Sequence, residues 1–140
     1  MSNQLTLTLK NDLAELERVS GAVDEFGRRH RIPAPALFDL HLALDEILTN
    51  VVSYGYDDTH EHEIIVRLSQ PAPDQIEIEV EDDARPFNPL EAADPDVNRS
   101  VEDRPIGGLG IYLVRRVMDD LEYRRQQGKN VLVMRKTLAG

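Results

Sequence analysis

The sequence contains no cysteine. Disulfide bridges, zinc sites built on thiolates and cysteine nucleophiles are therefore excluded, and the composition suits a reducing compartment. No hydrophobic run approaches the roughly 18 residues that a membrane-spanning helix needs. The first residues, MSNQLTLTLK, also lack the basic and then apolar order of a signal peptide. We therefore expect a cytoplasmic protein that has no membrane partner.

Positive charge is also scarce, since 16 Lys and Arg residues stand against 26 Asp and Glu, for a net charge of -10. Nucleic acids bind to basic surfaces, so direct binding to nucleic acid is not expected. The 140 residues, of which 41% are hydrophobic, suffice for one domain with an ordinary core. We therefore treat residues 1–140 as a single domain.

The stretch from Leu37 to Tyr54 has the periodicity of one long amphipathic helix. Its apolar stripe consists of Leu37, Leu40, Leu44, Ile47, Leu48 and Val51. Glu46 and Asn50 lie off this stripe and, being four residues apart, point the same way. They could supply a proton acceptor and an oxygen ligand for Mg²⁺. On periodicity alone, the simpler interpretation is that both side chains face water.

The remaining elements indicate an α+β fold. Alternating hydrophobicity predicts strands at 4–10, 63–70 and 75–81, and a closing hairpin at 121–127 and 130–137 joined at Gly128-Lys129. A first helix is predicted from a cap at Asn11 or Asp12 to about Arg31, with Leu13 on its apolar side. The grouped strands favour a two-layer α/β sandwich, in which three helices cover one face of a mixed, mostly antiparallel sheet.

Three glycines in the run Gly107 to Gly110 directly precede a predicted helix. Glycine lets the backbone approach a ligand closely, and the free N–H groups at a helix start bind anions such as phosphate. A flexible hinge is an equally good interpretation of this turn by itself.

Asp82 follows Val80 at the point where a strand runs into a long loop, Asp82 to Ile106. Because Val80 is predicted to face inward, Asp82 two residues later is a candidate buried acceptor for an exocyclic amine such as that of adenine. An ordinary acidic start to the loop is the simpler interpretation. Loops of this length are usually lids, binding loops or disordered segments.

Taken in order, these groups read Glu46-x-x-x-Asn50, then Asp82-x-Ala84-x-x-Phe87, then Gly108-x-Gly110. The combination resembles the GHKL ATP-binding domain, known as the Bergerat fold. Within that superfamily, DEILTNVVSYGY, GGLGIYLVRRVMDDLEY and the PFNP after the Asp resemble the anti-sigma-factor serine-protein kinases of the RsbW and SpoIIAB type. The resemblance extends over nearly the whole chain.

The resemblance implies the roles of the site residues, with ATP and Mg²⁺ as the cofactors. Asn50 would be the ligand of Mg²⁺, and Glu46 would be the catalytic base or would orient the attacking hydroxyl. Asp82 would accept from the adenine amine, with Ala84 and Phe87 in the same motif.

The resemblance also implies that the backbone amides around Gly108, Leu109 and Gly110 hold the triphosphate. An ATP lid would span approximately residues 85–106.

The implied activity is that of a protein serine kinase and anti-sigma factor. The acceptor would be a serine of an anti-sigma-factor antagonist protein, and the same chain would sequester a sigma factor. Members of the family are commonly dimers, so a homodimer is expected, and the apolar face of the first strand, an edge strand, gives weak support.

Two positions depart from the family pattern. Ala84 stands where glycine is expected, and its methyl group would crowd the adenine edge or require an ordinary φ. Asn130 stands where a threonine often helps to hold the adenine site, although Asn can still form hydrogen bonds.

These departures keep two alternatives open. One is a nucleotide-gated or nucleotide-indifferent binding module that captures a protein without phosphoryl transfer. The other is a regulatory ATPase with no protein acceptor.

Overall fold

The computed structural model describes residues 4–91 and 108–138. Strands and helices are grouped along the chain, with no regular βαβ repeat. The elements are β1 (Gln4–Lys10), α1 (Glu15–Arg29), α2 (Ala34–Tyr54), β2 (Glu63–Ala72), β3 (Gln75–Asp82), a 3₁₀ turn (Pro89–Glu91), α3 (Gly108–Val117), β4 (Asp120–Gln126) and β5 (Lys129–Thr137). Apart from the 3₁₀ turn and small shifts in the bounds, this is the order expected from the sequence.

The strands form one five-stranded sheet in the order β1-β2-β3-β5-β4. Each neighbouring pair is antiparallel, so the parallel pairing that a mixed sheet would contain is not found among the described strands. The three helices pack on one face of this sheet, and the core lies between the two layers. The predicted α+β sandwich is therefore confirmed, with a purely antiparallel sheet.

The central strand β3 shows why the sheet has two unlike faces. Ile76, Ile78, Val80 and Asp82 are buried, and the intervening glutamates are half-buried on the opposite side. On that side Glu79 pairs with Arg67 of β2, and ion pairs between neighbouring strands cover a polar surface. One buried and one solvated face is the usual arrangement of an antiparallel sheet.

Helix α2 begins at Ala34, three residues earlier than the apolar stripe predicts. Pro33 is its N-cap residue and Pro35 lies in its first turn. Proline is tolerated there because the backbone N–H groups of the first turn have no partner within the helix. Leu40, Leu44 and Leu48 form its most deeply buried ridge.

Helix α1 begins at Glu15 and not directly after Asp12. The carboxylate of Asp12 accepts a hydrogen bond from the Ala14 N–H at 2.9 Å, in a turn before the helix. Leu13 lies in this turn and is 48% exposed, so its assignment to the apolar side of the helix is wrong.

The closing hairpin turns at Gln127-Gly128, one residue earlier than predicted. Both residues have positive φ, 53° and 76°, as a two-residue hairpin turn of type I′ requires. The lid predicted at 85–106 lies largely outside the described residues, which include only its beginning and the 3₁₀ turn. No helix in the described ranges has the length and hydrophobicity needed to cross a membrane.

The loop between α2 and β2 is tied to the end of β3 by a polar cluster. His62 contacts the carboxylates of Asp58 at 2.9 Å and Asp83 at 3.0 Å through its two ring nitrogens, and its ring stacks on Tyr56. These hydrogen bonds raise the pKa of His62, and the bond to His62 lowers the pKa of Asp58. The imidazolium form of His62 therefore holds the loop against Asp83.

We expect the substitution His62→Gln to destabilise the protein more at about pH 5.5 than at about pH 8. A histidine whose pKa is raised by folding stabilises the fold fully below its unfolded pKa of about 6.5, and this contribution disappears as the pH rises through the folded pKa. Urea unfolding at both pH values measures the effect. His60→Gln is the control, because the hydrogen bonds of His60 to Asp58 and Asn11 use backbone atoms. An equal loss at both pH values would contradict the charged role.

Candidate functional site

A cavity of about 340 Å³ lies between α2, the end of β3 and the first turns of α3. Its walls are mainly apolar, and they include Ile47, Val51, Val80, Ile111 and Leu132. Ligand sites typically have volumes of about 300–1,000 Å³ and combine apolar walls with a few oriented polar groups. The cavity has both properties.

Asp82 is the buried carboxylate of this cavity, with 5% of its surface exposed. Its Oδ1 accepts hydrogen bonds from the Ala84 N–H at 3.0 Å and from Asn130 Nδ2 at 2.9 Å. Within residues 4–91 and 108–138, no group donates to Oδ2. Burial raises the pKa of Asp82, and the two hydrogen bonds only partly offset this effect. Because an unpaired buried oxygen is costly, Oδ2 is a ready acceptor for a ligand N–H.

Asn50 presents an oxygen to the same cavity. Its Nδ2 donates to the backbone carbonyl of Glu46 at 2.8 Å. A carbonyl can only accept, so the amide nitrogen must face the helix and Oδ1 points away from it. Magnesium is commonly bound by one or two protein oxygens together with phosphate oxygens and water, and Oδ1 of Asn50 fits that arrangement.

Glu46 lies where α2 meets the start of α3. A Cβ atom added to Gly110 would overlap Oε2 of Glu46 and would come within 2.9 Å of its Cδ. The carboxylate therefore lies directly against the first turn of α3. The N–H groups of such a turn have no partner within the helix and attract anions. A proton acceptor and an anion site are thus adjacent.

Comparisons with known proteins agree with this geometry. The sequence profile of the family described as "Histidine kinase-like ATPase domain" matches residues 9–136. The chain belongs to this family. The matched domain is GHKL-like, as the sequence motifs predict. The predicted superfamily and fold are therefore confirmed.

Two relatives bear kinase names. Serine/threonine-protein kinase BtrW of Bordetella bronchiseptica is 31% identical over 112 residues, which cover 80% of this chain and 78% of that protein. Serine-protein kinase RsbW of Bacillus mycoides is 34% identical over 100 residues, which cover 68% of this chain and 61% of that protein. The match thus spans less than two thirds of RsbW.

A solved structure shares the fold. The histidine kinase domain from the blue-light activated histidine kinase of Erythrobacter litoralis EL346 superposes with a TM-score of 0.59 at 20% identity. The superposition covers 90% of this chain and 60% of that chain.

Ala84 lies beside Asp82 at the same end of the cavity, and its backbone shows no strain. It is 2% exposed, and it is not among the described non-glycine residues with positive φ, which are Arg31 and Gln127. Its methyl group faces Gly55, because a Cβ atom added to Gly55 would come within 2.8 Å of it. The missing side chain of Gly55 leaves the space that the extra methyl of Ala84 needs.

The structure brings most of the predicted site residues together. Asn50, Asp82, Ala84, Phe87 and Asn130 line the cavity. Glu46 and Gly110 meet beside it, and Gly108 and Leu109 are the first residues of α3, so these glycines lie in the helix and not in a turn before it. Gly107 lies outside the described residues. The roles assigned to all these residues remain predictions.

Three further residues complete the cavity and were not predicted. Gly55 faces Ala84, and the Arg85 side chain donates to the backbone carbonyl of Tyr54 at the end of α2. Tyr123 of β4 donates a hydrogen bond to Asn130. The alternation of Leu121 and Tyr123 in β4 could have indicated that Tyr123 faces inward, but no sequence signal identifies its partner.

We predict that Gly110→Ala will impair nucleotide binding. The added methyl group overlaps the Glu46 carboxylate, so either the first turn of α3 or Glu46 must move. Calorimetric titration with Mg-ATP should show a loss of affinity of at least about tenfold, the equivalent of 1.4 kcal/mol.

Gly21→Ala in α1 is the matched control. A Cβ atom at Gly21 would meet nothing within 4 Å, so this change should stabilise the helix by about 0.5–1 kcal/mol and leave affinity unchanged. Normal affinity in Gly110→Ala would show that the close contact with Glu46 does not shape the site.

Proposed function

We propose that this chain is an ATP- and Mg²⁺-dependent protein serine kinase that also acts as an anti-sigma factor. It would phosphorylate a serine of an anti-sigma-factor antagonist protein and sequester a sigma factor. The observation that supports this proposal most directly is the Oδ2 of Asp82, which receives no hydrogen bond from the described residues and lies in an apolar cavity, beside a helix start that contacts the Glu46 carboxylate. The kinase names of BtrW and RsbW support it independently.

The base end of the nucleotide would be held by Asp82. Its Oδ2 would accept from the adenine amine, while the apolar walls and Phe87 would contact the ring. Phe87 is 51% exposed, so a planar ligand in the cavity would cover part of its surface. Burial of that surface would add to the affinity.

The phosphate end would be held by the first turn of α3, where Gly108, Leu109 and Gly110 contribute backbone amides. Asn50 would supply one oxygen ligand to Mg²⁺. The metal ion, when bound, would neutralise phosphate charge, which together with positioning accounts for most of the catalysis of phosphoryl transfer.

Glu46 would act on the acceptor serine. Its carboxylate is half-buried and lies outside the apolar cavity, next to the proposed phosphate site. From there it could accept a hydrogen bond from the serine hydroxyl and take up its proton.

The partners follow from this activity. Sigma factors act with RNA polymerase, so the protein would work in the cytoplasm. The outer edge of β1 has no neighbouring strand among the described residues and could pair with a second copy, which would give a homodimer.

A test of the kinase activity uses the change Glu46→Gln. We expect this variant to bind Mg-ATP normally and to phosphorylate the antagonist at least about 100-fold more slowly, because the proton acceptor is lost. Transfer of labelled phosphate to the antagonist homologues encoded in the same genome gives the measurement.

The change Asp45→Asn removes a carboxylate one residue away on the exposed side of α2 and should leave the rate unchanged. Transfer at the normal rate by Glu46→Gln would refute its role. Tight binding of the antagonist by the unmodified protein without labelling would favour the binding module, and phosphate release without labelling would favour the ATPase.

The change Asn50→Ala tests the metal ligand. We expect nucleotide affinity to fall only when Mg²⁺ is present, because the variant loses an oxygen ligand of the ion and not a contact to the base. Calorimetry with ATP in Mg²⁺ and in excess EDTA separates the two conditions. An equal loss in both would assign Asn50 to the nucleotide itself.

A further inference from the structure

Asn130 is held at both ends of its side-chain amide. Its Nδ2 donates to Asp82 Oδ1 at 2.9 Å and lies 3.0 Å from the backbone carbonyl of Arg85. The Arg85 carbonyl oxygen can only accept, and Asp82 Oδ1 already accepts the Ala84 N–H, so it acts as an acceptor here too. The nitrogen end of the amide must therefore face them, and the oxygen end must face the other way.

The oxygen end of Asn130 faces two donors. The Tyr123 hydroxyl lies 2.5 Å from Oδ1, and the Phe87 N–H lies 3.4 Å from it. Since Oδ1 can only accept, Tyr123 donates this hydrogen bond, and it is the shorter of the two. If the amide turned over, its oxygen would face the Asp82 carboxylate and its NH₂ would face the Phe87 N–H, so these two neighbours set its orientation. The Tyr123 hydrogen bond then holds the amide in that position.

The sheet register explains how Tyr123 reaches Asn130. Tyr123 pairs with Leu132 across the β4–β5 ladder, so Asn130 is its diagonal neighbour on the helix-facing side. Asn130 in turn pairs with Asp82 across the β3–β5 ladder. Three adjacent strands thus supply a continuous hydrogen-bonded series from Tyr123 to Asp82.

We propose that Tyr123 is a positioning residue for base recognition: through Asn130 it fixes the Asp82 carboxylate, so that Oδ1 is occupied and Oδ2 alone accepts from the 6-amino group of adenine. This inference rests on the proposed binding of ATP. One available oxygen matches one N–H donor. A guanine base, which offers N1–H and a 2-amino group side by side, would need both carboxylate oxygens.

The test compares ATP with purine riboside triphosphate, which is ATP without the 6-amino group. Both are titrated with Mg²⁺ into the unmodified protein and into the variant Tyr123→Phe. The unmodified protein should prefer ATP by about tenfold or more, as a hydrogen bond to a charged group implies. In Tyr123→Phe, ATP affinity should fall by about fivefold and the affinity for the analogue by less than about twofold.

Tyr112→Phe is the matched control. It removes the same hydroxyl from α3, where the Tyr112 ring lies under the Arg116 guanidinium and does not line the cavity. The preference for ATP should be unchanged in this variant. Urea unfolding of both variants shows whether the fold is intact.

The outcomes separate the inference from the proposed function. Equal losses for both nucleotides in Tyr123→Phe would make Tyr123 a packing residue and overturn the inference alone. Equal affinities of the unmodified protein for both nucleotides would also overturn the inference, since Asp82 would then make no hydrogen bond with the 6-amino group that contributes to affinity. No binding of either nucleotide to the unmodified protein would overturn the proposed function and the inference with it.

Discussion

Burial of the Asp82 carboxylate is the constraint on which the candidate site depends. A charged group removed from water is tolerated only when its oxygens find donors, and each hydrogen bond to a charged group contributes about 1.5–3 kcal/mol. Here the donors come from the Ala84 N–H and from Asn130, and both act on the same oxygen. The other oxygen has no donor within residues 4–91 and 108–138, and it is the acceptor that the proposed nucleotide would use. A fold that satisfied both oxygens internally would be more stable and would have no acceptor at this end of the cavity.

Close approach of the surrounding elements is the second requirement, and small residues allow it. Gly110 lets the first turn of α3 lie against Glu46, and Gly55 lets the end of α2 lie against Ala84. A side chain at either glycine would overlap its neighbour, so each contact depends on a missing Cβ. Loss of the contact at Gly55 would separate α2 from the backbone that Asp82 and Asn130 organise. The geometry beside Asp82 and the geometry beside Glu46 thus depend on different glycines.

The periodicity of the sequence predicts most of the fold and part of the candidate site. The alternation in β3 predicted that Asp82 faces the core with Val80, and the four-residue spacing in α2 predicted that Glu46 and Asn50 point the same way. Long-range partners could not be predicted, because they depend on strand register: Tyr123 meets Asn130 only as a diagonal neighbour across β4 and β5. The apolar stripe begins at Leu37 and therefore does not reveal the start of α2 at Ala34, although the first turn of a helix accepts proline.

The position of Glu46 helps to distinguish phosphoryl transfer to a protein from protein binding without phosphoryl transfer. Ala84, in place of the expected glycine, argues against nucleotide binding only if its methyl group is strained or crowded. The methyl group packs against Gly55, and Ala84 has an ordinary φ, so this objection does not apply. The remaining question is how the hydroxyl of the proposed acceptor could reach Glu46. Glu46 lies beside the cavity and not among its lining residues. A hydroxyl carried on a separate protein could therefore approach Glu46 from the surface without entering the apolar pocket, and a protein acceptor suits this geometry better than a small molecule bound inside the pocket.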